Sequence, residues 1–402
     1  MTTRTLELAG FILIALCLGL VQINLLAAQG VLFSAAAIVW LVVAVRDGRR
    51  PQTPAFFLPL LVYAALTLVS AAFSSNPLAS FVDSKQLLMF LMVPIVARFA
   101  TGRRATQAID VIIAIGAAGA LVGIVQFSML GRNDLDHRPM GMLGHWMTYS
   151  GVLMLVTCAA VARLIFTPSR NAWPLVAVPA LLVALVVTNT RNAWIGAFLA
   201  VSALLAIRNW KLIVIAPILA GVAFLVAPGE IQRRANSILN PSDLGNRDRR
   251  VMWQIGADII KDHPIVGVGP EMIADRTDRT GPLAHEGVYA KYRQNYPDAV
   301  NASNPHLHNV PIQIAAERGL PALAAWLWFV VVAARDLWRQ MRARVAPAVA
   351  GAGLAALIAM VAAGMLEYNF GDSEFLMLFL GLITLPYAAT RPESSEGALS
   401  AR

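Results

Sequence analysis

The chain has 402 residues, of which 58% are hydrophobic and only 14% charged, and its mean hydropathy is +0.64. So apolar a composition excludes a single soluble globule, because no soluble core could hide it, and a lipid bilayer must act as solvent. A net charge of +9 would suggest nucleic acid in a soluble protein, but here the placement of the basic residues decides, and no nucleic-acid partner is expected.

The N-terminal run MTTRTLELAGFILIALCLGLV has a basic residue before an apolar stretch and no clear small-residue cleavage site, so it reads as a retained first span. Cys17 and Cys158 both sit inside apolar runs, which leaves no disulfide framework and no cysteine zinc site. Apolar runs of spanning length fall at 8–26, 29–46, 56–74, 86–99, 107–128, 146–166, 174–189, 193–207, 212–228, 319–334, 347–366 and 374–390. The fold class predicted is an all-α polytopic membrane protein with about twelve transmembrane helices and a large, partly helical loop between helices 9 and 10.

Basic residues cluster on alternate connections: Arg46, Arg49 and Arg50, then Arg98, Arg103 and Arg104, then Arg163 and Arg170, and later Arg208 with Lys211 and Arg335 through Arg344. The opposite short connections carry far fewer, chiefly Lys85, Arg132, Arg138 and Arg191. The positive-inside rule then puts both termini of this multi-pass protein in the cytoplasm, with the long loop on the opposite face, which is the periplasm if the cell is Gram-negative. Residues 1–228 are expected to hold helices 1–9, 229–318 a periplasmic loop domain with the active site, 319–390 helices 10–12, and 391–402 a cytoplasmic tail. No internal repeat of the kind found in many transporters is visible, acidic residues are scarce in the spans, and polar chemistry concentrates in one outer loop.

A loop of roughly ninety residues is longer than a connector needs to be. Within it, DLGNRDRRVMWQIGADIIKDHP predicts an amphipathic helix with Met252, Ile255, Gly256, Ile259 and Ile260 on its apolar face and Asn246 as N-cap. Arg247, Arg249 and Arg250 fall near its start, where the macrodipole favours anions rather than cations. Arginines with free backbone N–H groups suit phosphate, and a basic surface against lipid headgroups is the plainer alternative. Arg191, in TNTRNAWIG, lies between two apolar segments with almost no loop around it. It is either a lipid-phosphate contact at the outer surface or a side chain snorkelling to headgroups.

At the loop's end, NASNPHLHNVPIQIAAERG holds His306 and His308. Two histidines two apart without cysteine or a local carboxylate cluster make a poor metal site, so no metal is expected, and general-base work by His308 is the better reading. His306 is read as its structural support, together with Asn309 and Trp253. Asp134-Leu135-Asp136-His137 is expected to be solvated loop, as are His137, His145, His263 and His285, whereas Glu367, Tyr368, Asn369, Asp372 and Glu374 form a short outer acidic turn able to line a site.

These residues resemble the O-antigen ligase family, whose large periplasmic loop carries a signature of His, a polar residue, nine residues and Gly. Here His308-Asn309 is followed at that spacing by Gly319, although the last small or polar position of the signature is Ala322. The run from Arg249 through Trp253 to KDHPIVGVGP, ending at Pro270, is similar to the wider superfamily of ligases, O-antigen polymerases and protein O-oligosaccharyltransferases, and does not separate the three. The resemblance implies a GT-C-like glycosyltransferase without cofactor, with undecaprenyl-diphosphate-linked O-antigen as donor, lipid A-core as acceptor and membrane lipids around it. It also implies inversion, a diphosphate held by Arg191, Arg247, Arg249 and Arg250, and His308 as the catalytic base. A transporter or lipid flippase is the reading from another class.

Overall fold

The computed structural model describes residues 2–48, 51–167, 173–274, 287–296 and 306–391, and among them it contains helices and turns but no strand. In chain order the helices are α1 (Thr3–Leu20), α2 (Leu26–Asp47), α3 (Phe57–Ala72), α4 (Pro77–Asp83), α5 (Met92–Phe99), α6 (Arg103–Ser128), α7 (Trp146–Phe166), α8 (Pro174–Val187), α9 (Arg191–Arg208), α10 (Ile215–Val226), α11 (Gly229–Asn236), α12 (Leu244–Asp262), α13 (Val288–Arg293), α14 (Val310–Ala343), α15 (Pro347–Gly364) and α16 (Ser373–Ala389). Eight helices among the described residues are long and apolar enough to cross a membrane, and four shorter apolar helices accompany them. Each of the twelve apolar runs in the sequence falls on one of these, so the protein is an all-α polytopic membrane protein. The run 86–99 is the second half of a longer span, 77–99, in which a 3-10 segment at Ser84–Leu91 joins α4 to α5.

Helices α7 and α15 are buried along most of their length, with α9 and α16 packed beside them. Close approach there rests on small residues, as is usual where lipid removes the hydrophobic drive between helices. A methyl group on Gly196 of α9 would stand 2.9 Å from the carbonyl oxygen of Ala359 on α15. The outer helices present the opposite composition: Val31, Ile38, Leu41 and Val45 of α2 and Ile218, Leu219, Val222 and Leu225 of α10 are exposed. Such bare apolar stripes are what a hydrocarbon environment solvates.

At one end of the bundle Arg98 bonds Glu7 at 2.9 Å and Asp47 at 2.7 Å, tying α5 to α1 and α2. Arg391 closes over the same end by donating to the carbonyls of Gln52 and Ala97. The starts of α7, α9 and α14, together with the α15–α16 turn, line shared pockets at the other end. Alternate connections therefore share one end, as an even alternation of spans requires.

The described parts of the long connection are folded. Met252, Ile255 and Ile259 of α12 are buried with Val268, Met272, Tyr289 and Leu307 in a small core of their own. The apolar face read from the sequence is correct, with Ile260 partly buried at its edge. Its start differs: Asp243, not Asn246, is the N-cap, accepting from Asn246 N at 3.2 Å. The helix therefore begins at Leu244, and Arg247, Arg249 and Arg250 belong to its second turn rather than its first.

The segment His263–Pro270 then crosses a break in α14. Val268 and Gly269 donate to the carbonyls of Ala316 and Glu317 at 3.0 and 2.8 Å, and Leu320 donates back to Pro264 at 2.8 Å. At the break Gly319 has φ 81° and ψ 167°, a region open in practice only to glycine. A Cβ there would stand 2.0 Å from the Ile265 carbonyl oxygen. The apolar run that begins near 319 in the sequence is thus the lower part of a helix that starts at Val310 and turns where the loop laces over it.

Candidate functional site

Asn309 caps α14 through its Oδ1, which accepts from Ile312 N at 2.9 Å, and its Nδ2 donates to the Met365 carbonyl at 2.9 Å. Arg249 Nε donates to the next carbonyl, Leu366, at 2.9 Å. His308 takes the residue after that: its Nδ1 lies 2.9 Å from both carboxylate oxygens of Glu367. Three residues singled out in the sequence therefore grip three consecutive residues of the α15–α16 turn.

His308 adopts φ 49°, a left-handed conformation that histidine tolerates better than most residues, and this directs its ring back against the turn. Glu367 is 3% exposed. Burial opposes its ionisation, but the charge of His308, the hydrogen bond it makes, His306 and Arg249 outweigh that and hold its pKa at about 2. A carboxylate at Nδ1 fixes the hydrogen of a neutral imidazole on that nitrogen and leaves Nε2 as the proton acceptor. His306 packs edge-on to His308, ring centroids 4.3 Å apart, with its Nδ1 3.8 Å from Glu367. Burial pushes the His306 pKa down to about 4, so its imidazole is neutral at physiological pH.

Two hollows adjoin this turn. One, of about 300 Å³, is lined by His306, Glu367, Tyr368, Asn369 and Asp372 among others. The second, about 60 Å³, is lined by Arg138, Arg191, Arg234 and Arg249 with Trp146 and Asn246. Met147 and Asn192 belong to the walls of both, so the two are contiguous.

The arginine pocket is electrostatically uncomfortable as it stands. Burial, then the neighbouring Arg191 and Arg249, bring the Arg138 pKa down to about 10, and burial with Arg191 and Arg138 does the same to Arg234. Arg249 is also lowered by burial, with Glu367 opposing. All remain cationic at pH 7. Arg191 is 6% exposed; one amino group bonds Asp243 at 3.0 Å and Ser237, while the other, Nη2, is buried without a partner. Arg138 also stacks on Trp146 at 3.8 Å. Cations converging on a small hollow with an unsatisfied guanidinium donor are set for an anion.

Residues 175–327 match the family model described as O-antigen ligase. The match supports membership of the O-antigen ligase/polymerase superfamily. No curated protein matches the chain. The matched stretch contains Arg191, Arg234, Arg249 and His308, but neither Arg138 nor Glu367. The match implies an enzyme related to membrane glycosyl transfer.

The sequence-predicted arginines divide. Arg191 and Arg249 enter the pocket, whereas Arg247 and Arg250 are exposed, Arg250 bonding the Pro241 carbonyl. The helix start expected to hold an anion already holds one, the Asp243 carboxylate, which is why the cationic pocket forms beside α12 rather than at its tip. Trp253 packs against the loop core and lines neither hollow. Arg138 and Arg234 were not picked out from the sequence, although Arg138 is one of few basic residues on the outer short connections.

His145, expected to be a loop histidine, lines the larger cleft, while Asp134 through His137 are exposed and His285 lies outside the described residues. Of the acidic turn, Glu367, Tyr368, Asn369 and Asp372 line the cleft, whereas Glu374 is not in its lining. His306, His308 and Glu367 bring three ligand-type atoms within 4.8 Å of one another, the one such group among the described residues. His308 Nδ1 and the Glu367 carboxylate stand at hydrogen-bond distance, 2.9 Å, in this arrangement.

Proposed function

We propose that this protein is an O-antigen ligase of the bacterial inner membrane, moving O-antigen polysaccharide from undecaprenyl diphosphate to a sugar hydroxyl of lipid A-core, with both termini cytoplasmic and the site facing the periplasm. The observation that carries this reading is the continuity of the α15–α16 turn: the residue bonded by Arg249 of the cationic pocket directly precedes the carboxylate that anchors His308. A group bound by the arginines and a proton taken by His308 thus belong to one site.

In this reading Arg191, Arg249, Arg138 and Arg234 hold the diphosphate, with the unpartnered Arg191 Nη2 donating to a phosphate oxygen. His308 Nε2 removes the proton of the acceptor hydroxyl as that oxygen attacks the anomeric carbon, and Glu367 steadies the imidazolium that results. The bond from the anomeric carbon to the diphosphate oxygen breaks, and undecaprenyl diphosphate leaves as an anion whose growing charge the arginines stabilise. Leaving-group protonation is unnecessary, and a single displacement inverts the anomeric centre. His306 and Asn309 shape the base, and Trp253 helps seat α12 on the loop core.

The purified protein, given undecaprenyl-diphosphate-linked O-antigen and either lipid A-core or more of the lipid-linked glycan, tests the acceptor. Glycan appearing on lipid A-core supports the ligase. Chain growth on the lipid carrier with none on lipid A-core makes it a polymerase, and transfer only to a protein hydroxyl makes it an O-oligosaccharyltransferase.

A further inference from the structure

The wall of the larger cleft carries a hydrogen-bonding group that the fold leaves unused. Asn369 lines the cleft and is 7% exposed, yet neither its Oδ1 nor its Nδ2 has a hydrogen-bond partner. Buried amides are normally satisfied, so an amide idle at both ends is free to take a partner that offers both a donor and an acceptor. A phosphate offers acceptors only and a bare cation satisfies only the oxygen, whereas a sugar hydroxyl, or a vicinal pair, offers both in the span of one amide.

The charge of the cleft narrows the sugar. Its lining includes Asp83, Glu271, Glu317, Glu367 and Asp372 but no Lys or Arg among the described residues. Two of these carboxylates, Asp83 and Glu317, are balanced in part by Arg318, which stands outside the lining. The cationic side chains lie in the neighbouring pocket. The site is therefore split into an arginine half that suits anions and a carboxylate–amide half that repels them.

We infer that the larger cleft is a glycan subsite that takes a neutral or amino sugar, read through its hydroxyls by Asn369, and turns away uronic and phosphorylated sugars. This deepens the transfer reading above by naming the sugar class beside the base.

The test uses the full-length protein in detergent at pH 7, with three trisaccharides of equal length in ligand-observed NMR: maltotriose, the fully deacetylated glucosamine trimer and trigalacturonate. Maltotriose and the amino trimer are expected to bind, with trigalacturonate at least about tenfold weaker. Asn369→Ala should weaken maltotriose about tenfold, the order expected for losing a buried hydrogen-bond pair. Asn369→Asp, which keeps the side-chain shape, should weaken it as well. Binding of undecaprenyl diphosphate, measured on the same samples, should stay as in the unsubstituted protein. The inference is overturned if trigalacturonate binds as tightly as maltotriose, if no trisaccharide binds, or if both Asn369 variants bind maltotriose normally. Binding of maltotriose sensitive to Asn369 without binding of undecaprenyl diphosphate would uphold the subsite and sink the lipid-diphosphate donor.

Discussion

Replacing Glu367 by Gln keeps the shape of the turn but removes the charge that orients His308. The carboxylate accepts from Nδ1 through both oxygens at 2.9 Å, whereas an amide turned the other way donates to Nδ1 and moves the hydrogen to Nε2, the position proposed to act as base. Losing general-base catalysis typically costs about 100- to 10,000-fold, or about 2.7–5.5 kcal/mol in the barrier, so kcat should fall by at least about 100-fold. KM for the lipid-linked donor should change little, because the substitution leaves the Leu366 carbonyl to Arg249.

The same substitution tests the charge. The Glu367 pKa is depressed on folding from 4.5 to about 2, so its ionised form favours the fold above pH 4.5 and that contribution disappears as pH falls toward 2. Glu367→Gln should therefore be less stable than the parent at pH 7, with the gap closing in acid. Steady-state transfer assays, with thermal melts in detergent at pH 7 and pH 3, measure both. A folded Glu367→Gln protein with kcat within about threefold of the parent would refute the dyad.

Arg249→Ala should lower kcat/KM roughly 10- to 100-fold, the worth of one or two charge-assisted hydrogen bonds, while Arg247→Ala and Arg250→Ala stay within about threefold in the same assay. Arg138→Ala should raise KM for the lipid-linked donor about tenfold, visible as weaker binding of undecaprenyl diphosphate. Gly319→Ala forces a side chain into a glycine-only conformation and against the Ile265 carbonyl, so it should cost about 3 kcal/mol and loosen the 263–270 segment, seen as a lower melting temperature and faster proteolysis of the loop.

The spans were legible because a bilayer imposes length and composition directly, and each apolar run became a helix. His308, Asn309 and Arg191 were legible because each sits beside a helix start in a short polar sequence. The helical phase that separates Arg249 from its neighbours was also present: it stands three residues before Met252, on the buried face, whereas Arg247 and Arg250 point away. Glu367 was visible only as part of an acidic turn, since its pairing with His308 joins positions 59 residues apart and depends on how α14 and α15 pack. Arg138 and Arg234 were hidden for the same reason, as nothing local marks a side chain that becomes buried only when three connections meet. Gly319 and the KDHPIVGVGP run looked like separate signatures, and the structure makes them two sides of one crossing.

The central claim is that one site joins arginine-held diphosphate to a base at His308. It is tested most directly by glycan transfer from undecaprenyl diphosphate to purified lipid A-core in EDTA, comparing the parent with His308→Ala. The account predicts robust transfer by the parent with chelator present, and a loss of at least about 100-fold in a folded His308→Ala protein that still binds undecaprenyl diphosphate. Transfer by His308→Ala at the parent rate, or parent activity abolished by EDTA and restored by a divalent metal, would contradict it.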